Sequence, residues 1–200
     1  MNTIDKPIIV AAAPTAGGKT KGAEAIMQRC PYIERVCTST SRPPRPGERS
    51  GVHYRFYDTP EAFRAKADRG EFLEWDQPFG GKHLYGTEWS ALKYIWNRGK
   101  IPLALVTLPG VAVYTEHFPS ACTIFILPPS IDQLESRMRS DPSRKNMTDD
   151  EIKRRLAQAK TEIDSWRRLC QYCVVNGNGE LDLMVESFIA IVRKHYPLSF

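Results

Sequence analysis

Apolar and polar positions divide the chain into alternating stretches of two kinds. Nearly continuous apolar runs lie at residues 8–12, 101–108 and 121–127, and a shorter one lies at 172–176. Between and after them come segments whose apolar residues recur at spacings of three and four. Such spacing predicts helices, whereas continuous apolar runs are typical of strands buried on both faces. Strands that alternate with helices predict an α/β fold with a parallel sheet flanked by helices.

Capping residues mark the predicted helix starts. Thr59 precedes Pro60 and an acidic first turn, and Ser130 and Thr148 are each followed three residues later by Gln or Glu. These patterns predict helices that begin after Thr59, Ser130 and Thr148. We also expect Thr87 to cap a helix over residues 88–97.

Two regions depart from the strand–helix alternation. Residues 37–89 contain short strand patterns and one helix, which indicates a small mixed α/β insert with a binding role. Residues 137–155 are a polar, basic segment between two capped helices, which indicates either a mobile lid that brings arginine to phosphate or a solvated surface loop. We therefore predict a single domain whose core comprises residues 1–36, 90–136 and 156–200.

The segment that carries the clearest chemistry is residues 8–20. An apolar run is followed by a loop of small residues and then by Gly-Lys-Thr at the start of a helix, which is the order of a phosphate-binding loop. The alternative is an ordinary strand–loop–helix turn with a surface lysine. If this segment is a phosphate-binding loop, its residues contact the phosphates of ATP, and the Thr20 hydroxyl is a Mg²⁺ ligand. The residues concerned are Pro14, Thr15, Ala16, Gly17, Gly18, Lys19 and Thr20.

A second candidate site lies in the insert. Arg42 and Arg45 stand in a loop that three prolines stiffen, and Tyr54 follows shortly after. Two guanidinium groups and a phenol hydroxyl suit a phosphate monoester, and the alternative is a solvated basic loop. Glu74 is either a surface carboxylate or an acceptor for the adjacent ring N–H and amine donors that guanine presents.

Composition narrows the class of protein. The chain has 200 residues and a formal net charge of +5, a modest excess that fits a phosphate-bearing ligand and does not favour nucleic acid as a partner. Five cysteines without framework spacing indicate reduced thiols. Because neither a long apolar span nor a signal-peptide pattern is visible, we expect a soluble cytoplasmic protein without a membrane partner.

Along nearly its full length the chain resembles the guanylate kinase family. The most specific match is Arg42-Pro43-Pro44-Arg45-Pro46-Gly47-Glu48. Five further stretches match, namely Gly70-Glu71-Phe72-Leu73-Glu74-Trp75, Tyr85-Gly86-Thr87, Ile126-Leu127-Pro128-Pro129-Ser130, Ile152-x-x-Arg155-Leu156 and Val174-Val175-Asn176.

The resemblance implies a P-loop nucleoside monophosphate kinase that converts ATP and GMP, or dGMP, to ADP and GDP, or dGDP, with Mg²⁺. It implies that the acceptor phosphate is held by Arg42, Arg45, Tyr54 and Tyr85. It implies that the guanine faces Thr38, Glu74 and Thr87. Arg137 and Arg155, together with Lys19 and Arg42, would act during phosphoryl transfer, and Asn176 would lie beside the adenine of ATP.

Three departures from the family pattern bear on the substrate. Ala13 replaces the first glycine of the loop. Leu105 and Thr107 replace the Asp-x-Asp of the family, so that only the Thr107 hydroxyl is left to contact the acceptor. The spacer between Glu74 and Tyr85 is slightly longer than in typical family members. Two alternatives therefore stay open: a kinase of another nucleotide or sugar phosphate, and a non-catalytic guanylate-kinase-like binding module. The intact Gly18-Lys19-Thr20 disfavours the second.

Overall fold

The computed structural model describes residues 3–45, 47–77, 81–145 and 147–197. Pro46 of the arginine–proline motif, Asn146 of the predicted lid and residues 78–80 of the long spacer lie outside the described residues. The chain divides into two compact units, of which the first comprises Met1–Ile33 and Leu103–Phe200 and the second Glu34–Pro102.

A parallel sheet with flanking helices forms the main layer, as the apolar runs predict. Its strand order is β2-β7-β1-β8-β9, and β1 pairs in parallel with β7 and β8, as does β8 with β9. The strands are β1 (Ile9–Ala12), β2 (Ile33–Arg35), β7 (Ile101–Val106), β8 (Cys122–Leu127) and β9 (Tyr172–Val175). The boundaries between the two units fall within β2 and β7.

The helices of the first unit follow the strands in chain order. They are α1 (Lys19–Arg29), α4 (Leu108–His117), α5 (Ile131–Ser140), α6 (Asp149–Ser165) and α7 (Leu181–His195), with short 3-10 helices at Pro142–Arg144 and Trp166–Arg168. The side chains of Ser130 and Thr148 accept hydrogen bonds from Gln133 N and Glu151 N at 3.2 Å each. Both predicted caps are therefore confirmed.

The second unit contains a smaller mixed sheet in the order β4-β3-β6-β5. Its elements are β3 (Ser39–Thr40), β4 (Arg55–Phe56), α2 (Pro60–Asp68), β5 (Phe72–Asp76), β6 (Tyr85–Glu88) and α3 (Trp89–Trp96). Thr59 caps α2 as predicted, with its hydroxyl accepting from Ala62 N at 3.1 Å. The predicted insert, residues 37–89, lies within this unit.

The expected cap at Thr87 is wrong. Thr87 is a residue of β6, and the N-cap of α3 is Glu88. The strand continues through Thr87 because this residue pairs with Glu74 of β5, an interaction that a pattern local to residues 85–90 does not contain.

Buried apolar side chains fill both units. In the first unit, Leu134, Met138, Ile152 and Ala159 form a cluster between α5 and α6. In the second unit, Phe63, Phe72 and Leu84 form the corresponding cluster. Among the described residues, no helix combines the length and the apolar character that crossing a membrane requires.

Candidate active site

The phosphate-binding loop connects β1 to α1 in the first unit. Gly17 N donates to Pro14 O at 3.0 Å, which closes a tight turn. Gly18 is the N-cap of α1 and has a left-handed backbone (φ 92°). A Cβ at this position would come within 2.1 Å of the Asn176 side-chain nitrogen, so both conformation and space require glycine here.

Ala13 fits the loop without the family glycine. It is buried, and within the described part of the chain Ala16 (φ 58°) is the one non-glycine residue with a positive φ. Ala13 therefore does not need the glycine-type backbone. A Cβ added to Gly17 would lie 2.9 Å from the Ala13 Cβ, which shows that the Ala13 methyl occupies space that Gly17 leaves open.

Lys19 is the first residue of α1, and its ammonium donates a hydrogen bond to the carbonyl oxygen of Ala13. Burial lowers the pKa of Lys19 to about 8, the carboxylate of Glu162 acts in the opposite direction, and the positive charge of Arg144 lowers the pKa further. Removing an ammonium from water disfavours its charged form. A negatively charged phosphate bound beside Lys19 would restore that form.

Asn176, which directly follows β9, and Arg137 of α5 support the loop. The Asn176 side-chain amide donates to Gly17 O at 2.9 Å. Arg137 donates from Nη2 to Asn176 O at 2.9 Å and to Asn178 Oδ1 at 2.9 Å. Its Nη1 is buried and has no hydrogen-bond partner among the described residues, and burial lowers the pKa of Arg137. A buried donor of this kind is costly unless a ligand accepts from it.

The other residues predicted to bind ATP, metal or the transition state are also in the first unit. Thr20 is the second residue of α1 and is exposed, so its hydroxyl is available to a cation. No group of three or more acidic, histidine or cysteine side chains suited to a metal occurs among the described residues. One hydroxyl joined by phosphate oxygens and waters suits Mg²⁺, which keeps much of its hydration shell. Arg155 lies on α6 and pairs with Glu151 at 2.8 Å.

In the second unit, strand pairing collects most of the predicted acceptor residues on one sheet face. Glu74 lies opposite Thr87 in the β5–β6 pair, and Tyr85 lies opposite Thr40 in the β3–β6 pair. Continuing the latter register by one step places Thr38 opposite Thr87. Because directly opposed residues share a face and alternate residues return to it, Thr38, Glu74, Tyr85 and Thr87 all lie on the same face.

Glu74 has an unusual environment for a carboxylate. Burial raises its pKa, hydrogen bonds from the Thr87 hydroxyl and backbone N–H oppose that rise, and the charge of Asp76 adds to it. Thr87 is fully buried. The pair is therefore a sheltered carboxylate and hydroxyl in contact, an arrangement that can accept hydrogen bonds from adjacent donors on a ligand.

Arg42 stands at the centre of a buried polar cluster in the same unit. Its Nη1 and Nη2 donate to the two carboxylate oxygens of Glu48 at 2.7 Å each. The guanidinium lies over the ring of Tyr54 at 5.1 Å, and Tyr54 packs edge-on against Tyr85 with ring centroids 6.2 Å apart. The pKa of Arg42 is raised chiefly by its hydrogen bonds to Glu48, and the neighbouring Tyr85 hydroxyl adds to the rise. Arg42, Tyr54 and Tyr85 thus lie close together, and their role toward the acceptor phosphate stays a prediction.

Glu48 organises both predicted arginines. The hydrogen bond from Arg42 lowers the pKa of Glu48 to about 2, so the carboxylate is charged at neutral pH. Glu48 also accepts from Arg45 N at 2.8 Å. The side chain of Arg42 is therefore fixed, while Arg45 is exposed with its backbone attached to the same carboxylate.

These two sites correspond to a known family. The sequence model of the guanylate kinase family matches residues 4–194. The chain belongs to the guanylate kinase family.

Relatives support the assignment. The guanylate kinase of Aromatoleum aromaticum is 36% identical over 186 residues, which is 93% of this chain and 87% of that protein. The guanylate kinase of Thermosynechococcus vestitus is 40% identical over 156 residues, 78% of each chain. The crystal structure of guanylate kinase from Anaplasma phagocytophilum matches with a TM-score of 0.74 at 22% identity, covering 98% of this chain and 89% of that one. This last likeness shows the fold.

The two positions that lack the family's acidic residues lie in the first unit of this guanylate kinase family member. Leu105 is a half-buried residue of β7, and Thr107 is the exposed N-cap of α4. Within the second unit, the acidic residue that neighbours Glu74 is Asp76, which lies opposite Tyr85 in the β5–β6 pair. The role of Thr107 toward the acceptor stays a prediction.

Sequence reasoning missed Glu88, whose buried carboxylate joins several elements of the second unit. It accepts hydrogen bonds from Ser39 Oγ at 2.6 Å, Tyr57 Oη at 2.9 Å and Lys66 Nζ at 2.9 Å, and it pairs with Arg55 at 2.6 Å. Burial alone would raise the pKa of Glu88, but these donors lower it to about 2. Ser39 and Glu88 are the chain neighbours of Thr38 and Thr87, so the network fixes the strands that carry the residues predicted to bind the acceptor.

Arg144 was also missed as a site residue. The basic character of residues 137–145 was visible, but the sequence pattern did not separate Arg144 from Arg139 and Lys145. Its Nη1 donates to the hydroxyl of Thr15 in the phosphate-binding loop at 3.1 Å. The partners are 129 positions apart in the sequence, so no local pattern could indicate the contact.

Proposed function

We propose that this chain transfers the γ-phosphoryl group of ATP to GMP, or dGMP, and so forms ADP and GDP, or dGDP. Membership of the guanylate kinase family supports the reaction class, and the curated relatives at about 35% identity are guanylate kinases. The alternatives of a different acceptor or of a purely binding module are therefore not favoured. The proposal assigns each of the two described sites one substrate.

The observation that carries the choice of guanine is the Glu74–Thr87 pair. Guanine presents a ring N–H beside an exocyclic amine, two adjacent donors that one carboxylate can accept. Adenine presents a ring nitrogen acceptor at the corresponding place, which would face the carboxylate without a hydrogen bond. A site whose acceptors pair with ligand donors strongly rejects an analogue that lacks those donors, because the polar groups of the site are then left unpaired.

The phosphates are assigned by the same reasoning. Lys19, the loop amides at the start of α1 and Arg137 supply positive charge and donors for the triphosphate. Arg42, Tyr54 and Tyr85 supply donors for the monophosphate, with Arg45 as an exposed second guanidinium. Asn176 would contact the adenine while its side-chain nitrogen holds Gly17. Arg155 would approach the phosphates from α6.

Magnesium is part of the proposal. Thr20 would contribute its hydroxyl to the ion, which when bound with ATP neutralises charge on the transferring group. All five cysteines are free thiols, which supports a reducing compartment, and we propose the cytoplasm.

A panel of acceptors tests the function. ADP release from ATP and Mg²⁺ is measured with GMP, dGMP, IMP, AMP, UMP and sugar phosphates. We expect turnover with GMP and dGMP to exceed that with AMP by several orders of magnitude. Turnover only with another acceptor, or binding of GMP without turnover, would contradict the proposal.

A pair of lysine variants tests the assignment of the loop. Lys19→Ala should reduce turnover by orders of magnitude, because it removes the ammonium beside the phosphates. The matched control is Lys21→Ala, two residues later on the same helix and exposed, which should leave turnover near that of the wild type. Equal activities of the two variants would refute the role of Lys19.

A further inference from the structure

Asp76 is an exposed carboxylate at the end of β5 to which the proposed function gives no role. In the β5–β6 pair it lies opposite Tyr85, while Glu74 lies opposite Thr87. Tyr85 in turn lies opposite Thr40 of β3. Because alternate residues of a strand return to the same face, Asp76 shares the face of Glu74 and lies about 7 Å further along the strand.

Helix α2 packs against the opposite face of this small sheet. Trp75, which stands between Glu74 and Asp76 and therefore points the other way, contacts Phe63 of α2 edge-on with ring centroids 6.4 Å apart. Lys66 of α2 donates to Glu88, the residue after Thr87 in the chain. The face that carries Glu74 and Asp76 is thus the one turned away from α2, and the exposure of Asp76 makes it accessible to a ligand there.

The strand register sets the order of chemical groups along this face. The Glu74–Thr87 pair is proposed to accept the base, and Tyr85, which packs against Tyr54 with ring centroids 6.2 Å apart, is proposed to hold the phosphate. Asp76 lies opposite Tyr85, but an aspartate is much shorter than a tyrosine. Its carboxylate therefore stays nearer the sheet than the Tyr85 hydroxyl, below the space between base and phosphate. In a nucleoside monophosphate the sugar occupies that space.

A carboxylate at this place selects a hydrogen-bond donor. The ionised phosphate offers none, whereas the sugar offers hydroxyl groups. The 2′-hydroxyl lies on the same edge of a nucleotide as the amine of guanine, so when that amine faces Glu74 the 2′-hydroxyl faces the next residue of the same face. Asp76 Oδ1 accepts from Gln77 N at 2.7 Å, which orients the carboxylate and leaves it further acceptor positions. Carboxylates bind the ribose 2′-hydroxyl in dinucleotide-binding folds as well.

We propose that Asp76 is a specificity-determining residue that accepts a hydrogen bond from the 2′-hydroxyl of the acceptor nucleotide, so that GMP is bound in preference to dGMP. The inference rests on the proposed use of a guanine monophosphate and deepens it by assigning the choice of sugar to one side chain. It concerns binding of the acceptor alone, so it can be tested without the phosphoryl-transfer reaction.

The test compares dissociation constants for GMP, dGMP and IMP, measured by calorimetry without ATP. The proteins are the wild type, Asp76→Ala, Asp76→Asn and the control Asp68→Ala, which removes an exposed aspartate at the end of α2 in the same unit. The readout is the ratio of constants within each protein. Loss of Asp76 also removes a negative charge near the phosphate and changes the influence on the pKa of Glu74, but both effects act alike on GMP and dGMP and cancel in the ratio.

We expect the wild type to bind GMP about tenfold more tightly than dGMP, the lower end of the effect of a charged hydrogen bond because Asp76 is exposed. In Asp76→Ala the two constants should agree within about twofold. Asp76→Asn keeps an oxygen for Gln77 N and a neutral acceptor, so its ratio should fall between those of Asp76→Ala and the wild type. Asp68→Ala should keep the wild-type ratio, and the ratio of GMP to IMP should be the same in all four proteins.

Three results would overturn the inference. The first is equal affinity of the wild type for GMP and dGMP, and the second is an unchanged ratio of these two constants in Asp76→Ala. The third is a reduced preference for GMP over IMP in Asp76→Ala at a constant ratio of GMP to dGMP, because IMP lacks the amine and Asp76 would then bind that group instead. Failure of the wild type to phosphorylate bound GMP would count against the proposed function and leave these binding ratios intact.

Discussion

Replacing Glu48 with Gln tests how the buried polar cluster around Arg42, proposed to bind the acceptor phosphate, is held together. The carboxylate accepts two hydrogen bonds from Arg42 and one from the Arg45 backbone, and its side chain is 17% exposed. Gln places an amide group where one of the accepting oxygens stood. The Arg42 guanidinium, 7% exposed, would then lose its counter-charge inside the protein.

The expected loss of stability in Glu48→Gln follows from the pKa of Glu48. Contact with Arg42 lowers the pKa of Glu48 from 4.5 to about 2. A difference of about 2.5 pH units, at about 1.4 kcal/mol each, corresponds to roughly 3–4 kcal/mol of stabilisation by the charged form. This agrees with the roughly 3–5 kcal/mol by which removing one partner destabilises a buried ion pair.

The pH dependence has a defined direction. Because the folded-state pKa lies below the unfolded-state value, the contribution of Glu48 is fully present above about pH 4.5 and is lost as the pH falls toward 2. Gln does not titrate. The difference in the free energy of unfolding between the wild type and Glu48→Gln should therefore be constant near neutral pH and shrink on acidification.

The assay is urea-induced unfolding at several pH values, with the KM for GMP measured at neutral pH. We expect the KM to rise about tenfold or more, because Arg42 loses its fixed orientation. Glu71→Gln, which alters an exposed carboxylate of the same unit paired with Arg69, is the control and should change little. Unfolding free energies of Glu48→Gln and the wild type that agree within about 1 kcal/mol near neutral pH would refute the reasoning.

Three further predictions concern the residues of the two sites. On the proposal that Lys19 binds phosphate as an ammonium, kcat/KM for ATP should decline above the Lys19 pKa of about 8, and Glu162→Gln should move the decline to lower pH; a profile unaffected by this change would contradict the coupling. Asn176→Ala removes the donor to Gly17 O, so the Kd for ATP should rise about fivefold to tenfold at unchanged Kd for GMP, as calorimetry can show. Because Asp76 helps to raise the pKa of Glu74, the loss of GMP binding on acidification should begin at lower pH in Asp76→Asn, and a shift in the other direction would be incompatible with the described face.

The local sequence determined the type of most elements and the start of several. The caps at Thr59, Ser130 and Thr148 could be predicted because each side-chain acceptor bonds to an N–H three residues later. The phosphate-binding loop could be predicted for a similar reason, since its strand, turn and helix are contiguous. The error at Thr87 came from the opposite case, in which pairing with a distant strand overrode a local capping pattern.

Much of the candidate site could likewise be named from motifs, because Arg42, Glu74 and Lys19 stand in short, specific patterns. What the motifs did not contain is the set of partners that holds these residues. Glu48 neutralises Arg42 six positions away and could have been suspected. Asn176 reaches Gly17 across 159 positions and Arg144 reaches Thr15 across 129.

The sequence by itself thus determined which residue types stand in the loop, the arginine–proline motif and the acceptor strands. Only the tertiary structure decided which charges are buried and which donors face them, as at Glu88 with Ser39, Tyr57 and Lys66. The physical reason is that hydrogen bonds to a side chain and its removal from water depend on neighbours brought in from other elements. Periodicity and motif spacing describe one segment at a time and carry no information about those neighbours.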